Sequence, residues 1–389
     1  MNQFLPEHKN IIITRKLEEL TCLSALEVSY GSTHKWITRS TNDDKVLSPR
    51  EIQNIIMYHG QKIRKIEDEF AEKVLEKDEI PIDKALLVSG KPPRRKTKGE
   101  IALSIENALN AKELEHPPEG VSSRDWERIT TQIKKHDEII GFQKITQLGP
   151  KLSTSELMIA IDGIVVRGRK KKSKLELRIA HLQTTQGYRY ITGTDKTFLK
   201  KILAAIKALN GNNLFWIVLA DGGKWIRNFY EEDLAYHENK EMVLDWYHLS
   251  KKCKEFMSMI AYGGQQRKEA LRQLMPLLWE GHVEEAIQYL ENLRDKARNI
   301  EKLEELIGYF SKHSPYIPNY RERRKQCKFN SSNSAEKACN TLVARRQKNK
   351  SMHWVKKGAD ALCALQTLWH NIEWDMYWKE NCFMSYAPA

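Results

Sequence analysis

Two segments of the sequence share one pattern, a run of apolar residues that ends at Asp-Gly. Residues 157–161 precede Asp162, and residues 214–220 precede Asp221. Continuous apolar runs of this length are typical of strands that are buried on both faces of a sheet. Taken singly, each Asp-Gly is an ordinary turn signal. Their repetition after two buried-strand patterns favours a second interpretation, in which each strand presents a carboxylate at its end.

The segments around these runs predict more strands and several helices. Residues 196–209 predict a helix, and apolar residues at helical spacing predict a wholly helical stretch from about 246 to 313. A further helix carries Glu336 to about residue 346, and the last helix covers about 355–372. Residues 164–166 could continue the first of these strands, and further strands are predicted at 175–182, 188–192 and 242–244.

Three strands, a helix, a fourth strand and a late helix after an insertion is the element order of an RNase H-like fold. We therefore expect an α/β (α+β) protein with an RNase H-like mixed-sheet catalytic core, an all-helical insertion and a helical N-terminal region. The expected parts are an N-terminal region at 1–150, a first core segment at 151–250, the insertion at 251–330 and a second core segment at 331–389.

The N-terminal region contains one clear helix and one basic stretch. Ser48, Pro49 and Glu51 form a capping-box pattern that predicts a helix running to about residue 76. Residues 89–99 are rich in proline, lysine and arginine, which is typical of a solvated tether or, alternatively, of an arm that contacts phosphates. A helix is also predicted at 123–140, whereas residues 1–45 are only weakly periodic.

The charge of the chain suits a polyanionic partner. Lys and Arg number 64 against 51 Asp and Glu, which gives a net charge of +13. Cationic side chains that neutralise phosphates release counterions from nucleic acid, although many basic proteins bind nothing specific. Three basic clusters could contact a DNA backbone, or could simply be solvated faces. Their candidate DNA-binding residues are Arg167, Arg169, Lys170, Lys171, Lys172, Arg323, Arg324, Arg345 and Arg346.

Other classes of protein are disfavoured by what the sequence lacks. None of the six cysteines forms a C-x-x-C pair, which argues against a zinc finger or a thioredoxin-type redox site. The first residues have no apolar core like that of a signal peptide, and no apolar run approaches the roughly 20 residues of a membrane span. We therefore expect a soluble, cytoplasmic protein that has no membrane partner.

The acidic residues suggest a specific chemistry. Mg²⁺ prefers hard oxygen ligands, and two such ions can clamp the attacking and leaving oxygens of an in-line phosphoryl transfer. Carboxylates that project from strand ends and from a late helix into one cleft would hold those ions. Asp162 and Asp221 meet the first requirement, because each follows a predicted buried strand.

At this point the sequence resembles a known family over rather more than half of its length. The chain from Asp162 to Trp378 is similar to the DDE-type transposases of bacterial insertion sequences. Within these it resembles the group that shares a D-x-x-H or C-x-x-H motif and a helical insertion with Mutator-like elements. The matching stretches are residues 161–163, 220–226, 244–248, 335–343, 353–354, 358–362 and 373–378.

The resemblance implies roles for individual residues. Asp162, Asp221 and Glu336 take the places of the three catalytic carboxylates, which would hold two Mg²⁺ or Mn²⁺ ions. Asp245 and His248 match the D-x-x-H motif, which would organise the site or handle DNA; alternatively, His248 is an ordinary histidine at a strand-to-helix junction. The implied activity is metal-dependent cleavage of transposon DNA ends and strand transfer into target DNA.

The resemblance also implies the surroundings in which the protein works. Residues 1–150 would bind the terminal repeats or support dimerisation, and the protein would act as a homo-oligomer, at least a dimer, on paired DNA ends. It would be associated with the bacterial nucleoid.

One stretch departs from the family pattern. Where the family has a glycine-containing segment before its glutamate, this chain has Ser-Ser-Asn-Ser at 331–334, which is conformationally more restricted. Two alternatives remain open, and this departure favours the first of them. One is a catalytically inactive, transposase-derived DNA-binding protein, and the other is an RNase H-like nuclease without strand transfer.

Overall fold

The computed structural model describes residues 13–43, 45–77, 86–89, 150–170, 173–194, 197–348 and 352–381. The chain forms two compact units, one of residues 1–90 with 152–389 and one of residues 91–151. Nearly all of the described residues belong to the first unit. The predicted helix at 123–140, most of the basic stretch at 89–99, Lys171 and Lys172 lie outside the described residues.

The first unit is built on a six-stranded mixed sheet in the order β1-β4-β3-β2-β5-β6. Strands β1 to β4 pair antiparallel, whereas β2 with β5 and β5 with β6 pair parallel. The mixed α/β class predicted from the sequence is thereby confirmed. The strands are β1 (Val88–Ser89), β2 (Glu156–Arg167), β3 (Lys174–Gln183), β4 (Gly187–Gly193), β5 (Phe215–Ala220) and β6 (Lys240–Leu244).

Among the described residues, three helices precede the strands and the other helices follow β4. The first three are α1 (Arg15–Glu27), α2 (Tyr30–Thr41) and α3 (Pro49–Glu76). Those that follow are α4 (Thr197–Ala208), α5 (Lys224–Asn228), α6 (Trp246–Ile260), α7 (Gly264–Trp279), α8 (Val283–Glu291), α9 (Ile300–His313), α10 (Tyr320–Lys325), α11 (Asn333–Cys339), α12 (Arg345–Gln347), α13 (Lys356–His370) and α14 (Trp374–Glu380). Five-residue π-helical segments follow α5 and α11, at Phe229–Asp233 and Asn340–Ala344. Among the described residues, no helix is both long and apolar enough to cross a membrane.

Helix α3 begins as the sequence predicts and packs closely on α13. The Ser48 side chain accepts from the Glu51 amide, and the Glu51 carboxylate accepts from the Ser48 amide. At Gly60 the two helices nearly touch, because a Cβ added there would lie 2.3 Å from Cα of Ala361. Helices α1 to α3 therefore belong to the same unit as the sheet. The first boundary between the units follows residue 90, inside the predicted N-terminal region 1–150, and the second precedes residue 152, just after that region.

Buried side chains cover the sheet on both faces. Successive residues of a strand point to opposite faces, and on β3 Ile179 and Ala180 belong to two different apolar clusters. One cluster joins the sheet to α4 and to the helices of the predicted insertion. The other joins it to α1, α3, α11, α13 and α14. The predicted helical stretch at 246–313 is confirmed as α6 to α9.

Candidate active site

The aspartates of the two Asp-Gly patterns meet where β2 and β5 pair. Ala160 pairs with Leu219 in parallel register, and Asp162 and Asp221 each lie two residues beyond that pair. The Asp162 carboxylate is half-buried and accepts a hydrogen bond from the Gly163 amide at 2.7 Å. Burial raises the pKa of Asp162, the Gly163 hydrogen bond opposes the rise, and the charge of Asp221 adds to it. The two carboxylates are thus close enough to repel each other, which a bound cation would relieve.

The turn after β5 is fixed from the helical insertion. Gly222 has a φ of +78°, which favours glycine, and Oδ1 of Asp221 accepts from the Gly223 amide at 2.9 Å. Nε2 of His313, at the end of α9, donates to the Gly222 carbonyl at 3.1 Å. A Cβ at Gly222 would lie only 2.7 Å from the His313 ring. The insertion therefore helps to position the strand end that carries Asp221.

Asp245 is buried at the junction between β6 and α6. Its carboxylate accepts three hydrogen bonds from Ser332 and the His248 amide, and it also contacts the His248 ring. It caps α6 by accepting from the His248 amide at 2.9 Å, and its other oxygen accepts from Oγ of Ser332 at 2.6 Å and from the Ser332 amide. Burial would raise the pKa of Asp245, but the hydrogen bonds from His248 and Ser332 outweigh it and hold the pKa below its usual range. Asp245 is thus a charged anchor that ties α6 to the loop before α11.

His248 is the basic side chain that lies next to these acids. Its Nδ1 lies 3.4 Å from Oδ1 of Asp245, and this interaction is the main reason that its pKa is raised. Partial burial opposes the rise, whereas the charges of Asp245, Asp162 and Asp221 favour it. The raised pKa favours the protonated ring, which could hold a proton, or orient a phosphate, at the edge of the site.

Glu336 lies on α11, which packs against β2 and β3. One turn further on, Sγ of Cys339 contacts Oδ2 of Asp162 at 3.5 Å, and burial followed by the charge of Asp162 raises the pKa of the thiol. The Glu336 side chain itself is exposed. Within the described ranges no three His, Cys, Asp or Glu side chains form a group that could hold a metal ion. Asp162, Asp221 and Glu336 therefore do not form a preformed three-ligand metal site in the described residues.

The two carboxylates that lie close together, those of Asp162 and Asp221, suit a hard cation. Asp162 and Asp221 offer carboxylate oxygens from adjacent rigid strands, and their mutual repulsion gives a divalent ion a clear electrostatic advantage. These two residues could hold a first ion, and Glu336 is the nearby acid on α11 that could complete a second position.

The first predicted basic cluster lies on the hairpin between β2 and β3. The side chains of Arg167, Arg169 and Lys170 are exposed. The hairpin is fastened to a neighbouring segment, because the amide of Arg169 donates to the Trp354 carbonyl at 2.8 Å and the Trp354 amide donates to Arg167 at 2.9 Å. Arg167 is five residues along β2 from Asp162, roughly 16 Å at the rise of a strand.

Two of the predicted DNA-binding arginines are engaged inside the protein. Arg323 is buried and donates to Glu241 at 2.7 Å and to the Phe329 carbonyl. Arg346 is buried as well; its Nε donates to the Ala25 carbonyl at 2.7 Å. Arg324 and Arg345 are exposed. A surface for DNA would therefore consist of the hairpin residues, Arg324 and Arg345, without the two buried arginines.

The structure adds residues to the site that the sequence interpretation had not assigned. A cleft of about 310 Å³ beside Asp221 and His248 is also lined by Lys251, Lys252 and Tyr309. The two lysines follow His248 by three and four residues on α6, so helical spacing alone could have placed them on its face. Tyr309 comes from α9, and only the tertiary packing of the insertion brings it here.

No protein-family model matches the chain, and no curated protein matches it in sequence.

Proposed function

We propose that this protein is a DDE-type transposase that cleaves DNA at transposon ends and joins the freed ends to target DNA. The observation that carries the proposal is the pairing of Asp162 and Asp221 on adjacent parallel strands, with His248 beside them. The helix that carries Glu336 is tied to the same junction through Ser332 and Asp245. The order of antiparallel and parallel strands agrees with an RNase H-like core interrupted by the insertion α6 to α9.

The proposed reaction has two phosphoryl transfers. In the first, water attacks a phosphorus atom at the transposon end, and the P–O3′ bond breaks to leave a 3′-hydroxyl and a 5′-phosphate. In the second, this hydroxyl attacks a target phosphodiester and displaces another 3′-oxygen. Mg²⁺ or Mn²⁺, when bound, would polarise the phosphoryl oxygens and activate the attacking oxygen. Asp162, Asp221 and Glu336 would hold two such ions.

The chain's own side chains would orient the DNA around that centre. His248 would hold a proton near the reacting phosphate, and Asp245 would keep the imidazole in place. The exposed Arg167, Arg169 and Lys170 would bind the backbone roughly 16 Å away, or about five nucleotides along one strand. Binding of paired ends would require at least two copies of the chain.

A second candidate is a transposase-derived protein that binds DNA without cutting it. The observation that favours it is the exposed Glu336, which is not grouped with the two aspartates in the described residues. An RNase H-like nuclease is distinguished only by its products, since it would hydrolyse the end without joining it.

The proposal is tested by cleavage and strand transfer on a labelled duplex that carries the element's own end. With Mg²⁺ or Mn²⁺ we expect nicked and then joined products. Asp221→Asn should slow cleavage by roughly 10³-fold or more while DNA binding persists, because a catalytic carboxylate acts as part of one unit with its partners. Asp233→Asn, which removes the same charge at an exposed position after α5, should leave the rate unchanged.

Each other outcome selects a different function. Hydrolysis without joined products would identify a nuclease. Binding without cleavage in either metal would favour the non-catalytic DNA-binding protein. Failure of the wild-type chain to bind the duplex at all would exclude the transposase and both alternatives.

A further inference from the structure

Lys252 is a cation beside the candidate active site that has no carboxylate partner in the described part of the chain. Its Nζ lies 4.4 Å from the centre of the Tyr309 ring and 5.3 Å from that of Phe256. The neighbouring Lys251, by contrast, has Glu255 within 3.9 Å. Cation–π contacts hold an ammonium in place without neutralising it. The Lys252 side chain is thus not neutralised by a carboxylate among the described residues, and it lines the cleft that also contains Asp221 and His248.

The position of Lys252 suits a phosphate group. It lies four residues after His248 on α6, about one helical turn or roughly 6 Å further along the helix. On a DNA strand this distance corresponds to about one or two nucleotides. The cleft is lined by the carboxylates of Asp221 and Glu255, which can hold cations, and by the Lys252 ammonium, which can hold an anion. A sugar-phosphate backbone that enters the cleft would find complementary charge at both positions.

We propose that Lys252 binds a backbone phosphate of the substrate strand next to the phosphodiester that reacts. This inference rests on the proposed function, and it makes Lys252 a DNA-binding residue of helix α6. Tyr309 and Phe256 would preorganise the lysine stem, so that little side-chain entropy is lost on binding. Because phosphate contacts carry no base information, the interaction would be independent of sequence.

The same helix provides a matched control. Lys254 is two residues further on and exposed, and it is not among the residues that line the cleft. Lys252→Met removes the charge and retains an apolar stem that can remain on the two rings. Lys254→Met removes the same charge from the same helix.

The test is DNA binding in EDTA, where no cleavage occurs, measured by fluorescence anisotropy over roughly 50 to 200 mM salt. The slope of log Kd against log salt should fall by about 1 in Lys252→Met, because one fewer counterion is released. Lys254→Met should keep the wild-type slope. Equal slopes for Lys252→Met and wild type, or an equal loss in both variants, would overturn the inference.

A second measurement needs no variant. Reductive methylation of the wild-type protein, followed by mass spectrometry, reports how reactive each lysine is with and without the duplex. We expect bound DNA to protect Lys252 and to leave Lys254 reactive, and equal labelling of Lys252 in both states would contradict the proposal. Failure of the wild-type chain to bind DNA would instead remove the proposed function, so the two failures are distinguishable.

Discussion

At the scale of single residues, His181 carries a titratable group into the core. It lies on β3 with no exposed surface, and its ring is 5.1 Å from that of Tyr190 and 5.9 Å from that of Tyr188. Neither ring nitrogen has a hydrogen-bond partner among the described residues. Burial lowers the pKa of His181 to about 4, because the charged form cannot be solvated there.

This residue makes stability depend on pH in a defined direction. The pKa of His181 is lowered on folding, so between pH 6.5 and about 4 the unfolded chain binds a proton that the folded chain excludes. Its contribution is complete above pH 6.5 and is lost as the pH falls through 4, a change on the order of 3 kcal/mol. His181→Phe should flatten that part of the curve of unfolding free energy against pH, measured by urea denaturation. The exposed His282→Gln should not, and an unchanged curve for His181→Phe would contradict the prediction.

At the scale of elements, the link between Asp245 and Ser332 joins two segments that are far apart in the sequence. Ser332 stands at the start of α11, but its hydroxyl binds Asp245 at 2.6 Å and does not cap its own helix. The start of the helix that carries Glu336 is thereby attached to the start of α6. This gives the D-x-x-H motif a structural role, in which its aspartate positions the glutamate helix.

Removing this link should destabilise the site. Ser332→Ala deletes a hydrogen bond to a buried charged group, and we expect it to lower the free energy of unfolding by about 1.5–3 kcal/mol. Under the proposed function it should also slow cleavage, because Glu336 would be held less firmly. The neighbouring Ser331→Ala should stay within about 0.5 kcal/mol of wild type. Chemical denaturation and the cleavage assay measure both effects, and equal behaviour of the two variants would argue against the link.

The elements also show what a sequence can and cannot predict. The strands that carry or precede Asp162 and Asp221 were predictable, since continuous apolar runs identify buried strands and the parallel register then aligns the acids. The predicted strand end at Asp162 is wrong, because β2 continues through Asp162-Gly163 to Arg167 and both residues pair with β3. Helices α1 and α2 were not, because the residues they bury include Glu18, Thr21 and Thr33, which do not make an apolar stripe.

The basic clusters could be predicted only in part. The exposed arginines and the buried Arg323 and Arg346 look alike in sequence. The buried arginines differ from the exposed ones in their tertiary contacts. Helix α1 supplies a hydrogen-bond acceptor to Arg346, and strand β6 supplies one to Arg323. Local pattern carries no information about such partners.

At the scale of the whole molecule, a buried polar network joins the N-terminal helix α3 to the sheet and to α13. Arg64 donates to Asp360, to Glu67 and to the Thr192 carbonyl, each at 2.8 Å. Lys201 of α4 donates to Glu67 at 2.8 Å. Burial would raise the pKa of Glu67, but Lys201 and Arg64 outweigh it and hold the pKa below its usual value. Helix α3, the consecutive elements β4 and α4, and helix α13 thus share one set of charges.

Because the network is buried, its loss should weaken the whole unit. Arg64→Met leaves Asp360 without its guanidinium and Glu67 with Lys201 alone, and breaking such a pair typically costs about 3–5 kcal/mol of folding free energy. Lys65→Met removes an exposed lysine that is 3.7 Å from Glu69, and a surface pair of this kind contributes at most about 1 kcal/mol. Urea denaturation should therefore show a much lower midpoint for Arg64→Met. The fluorescence of tryptophans such as Trp36 on α2 and Trp216 in the sheet should report a single unfolding transition. If the N-terminal helices instead formed a separate domain, the variant would show two transitions, and only the first would shift.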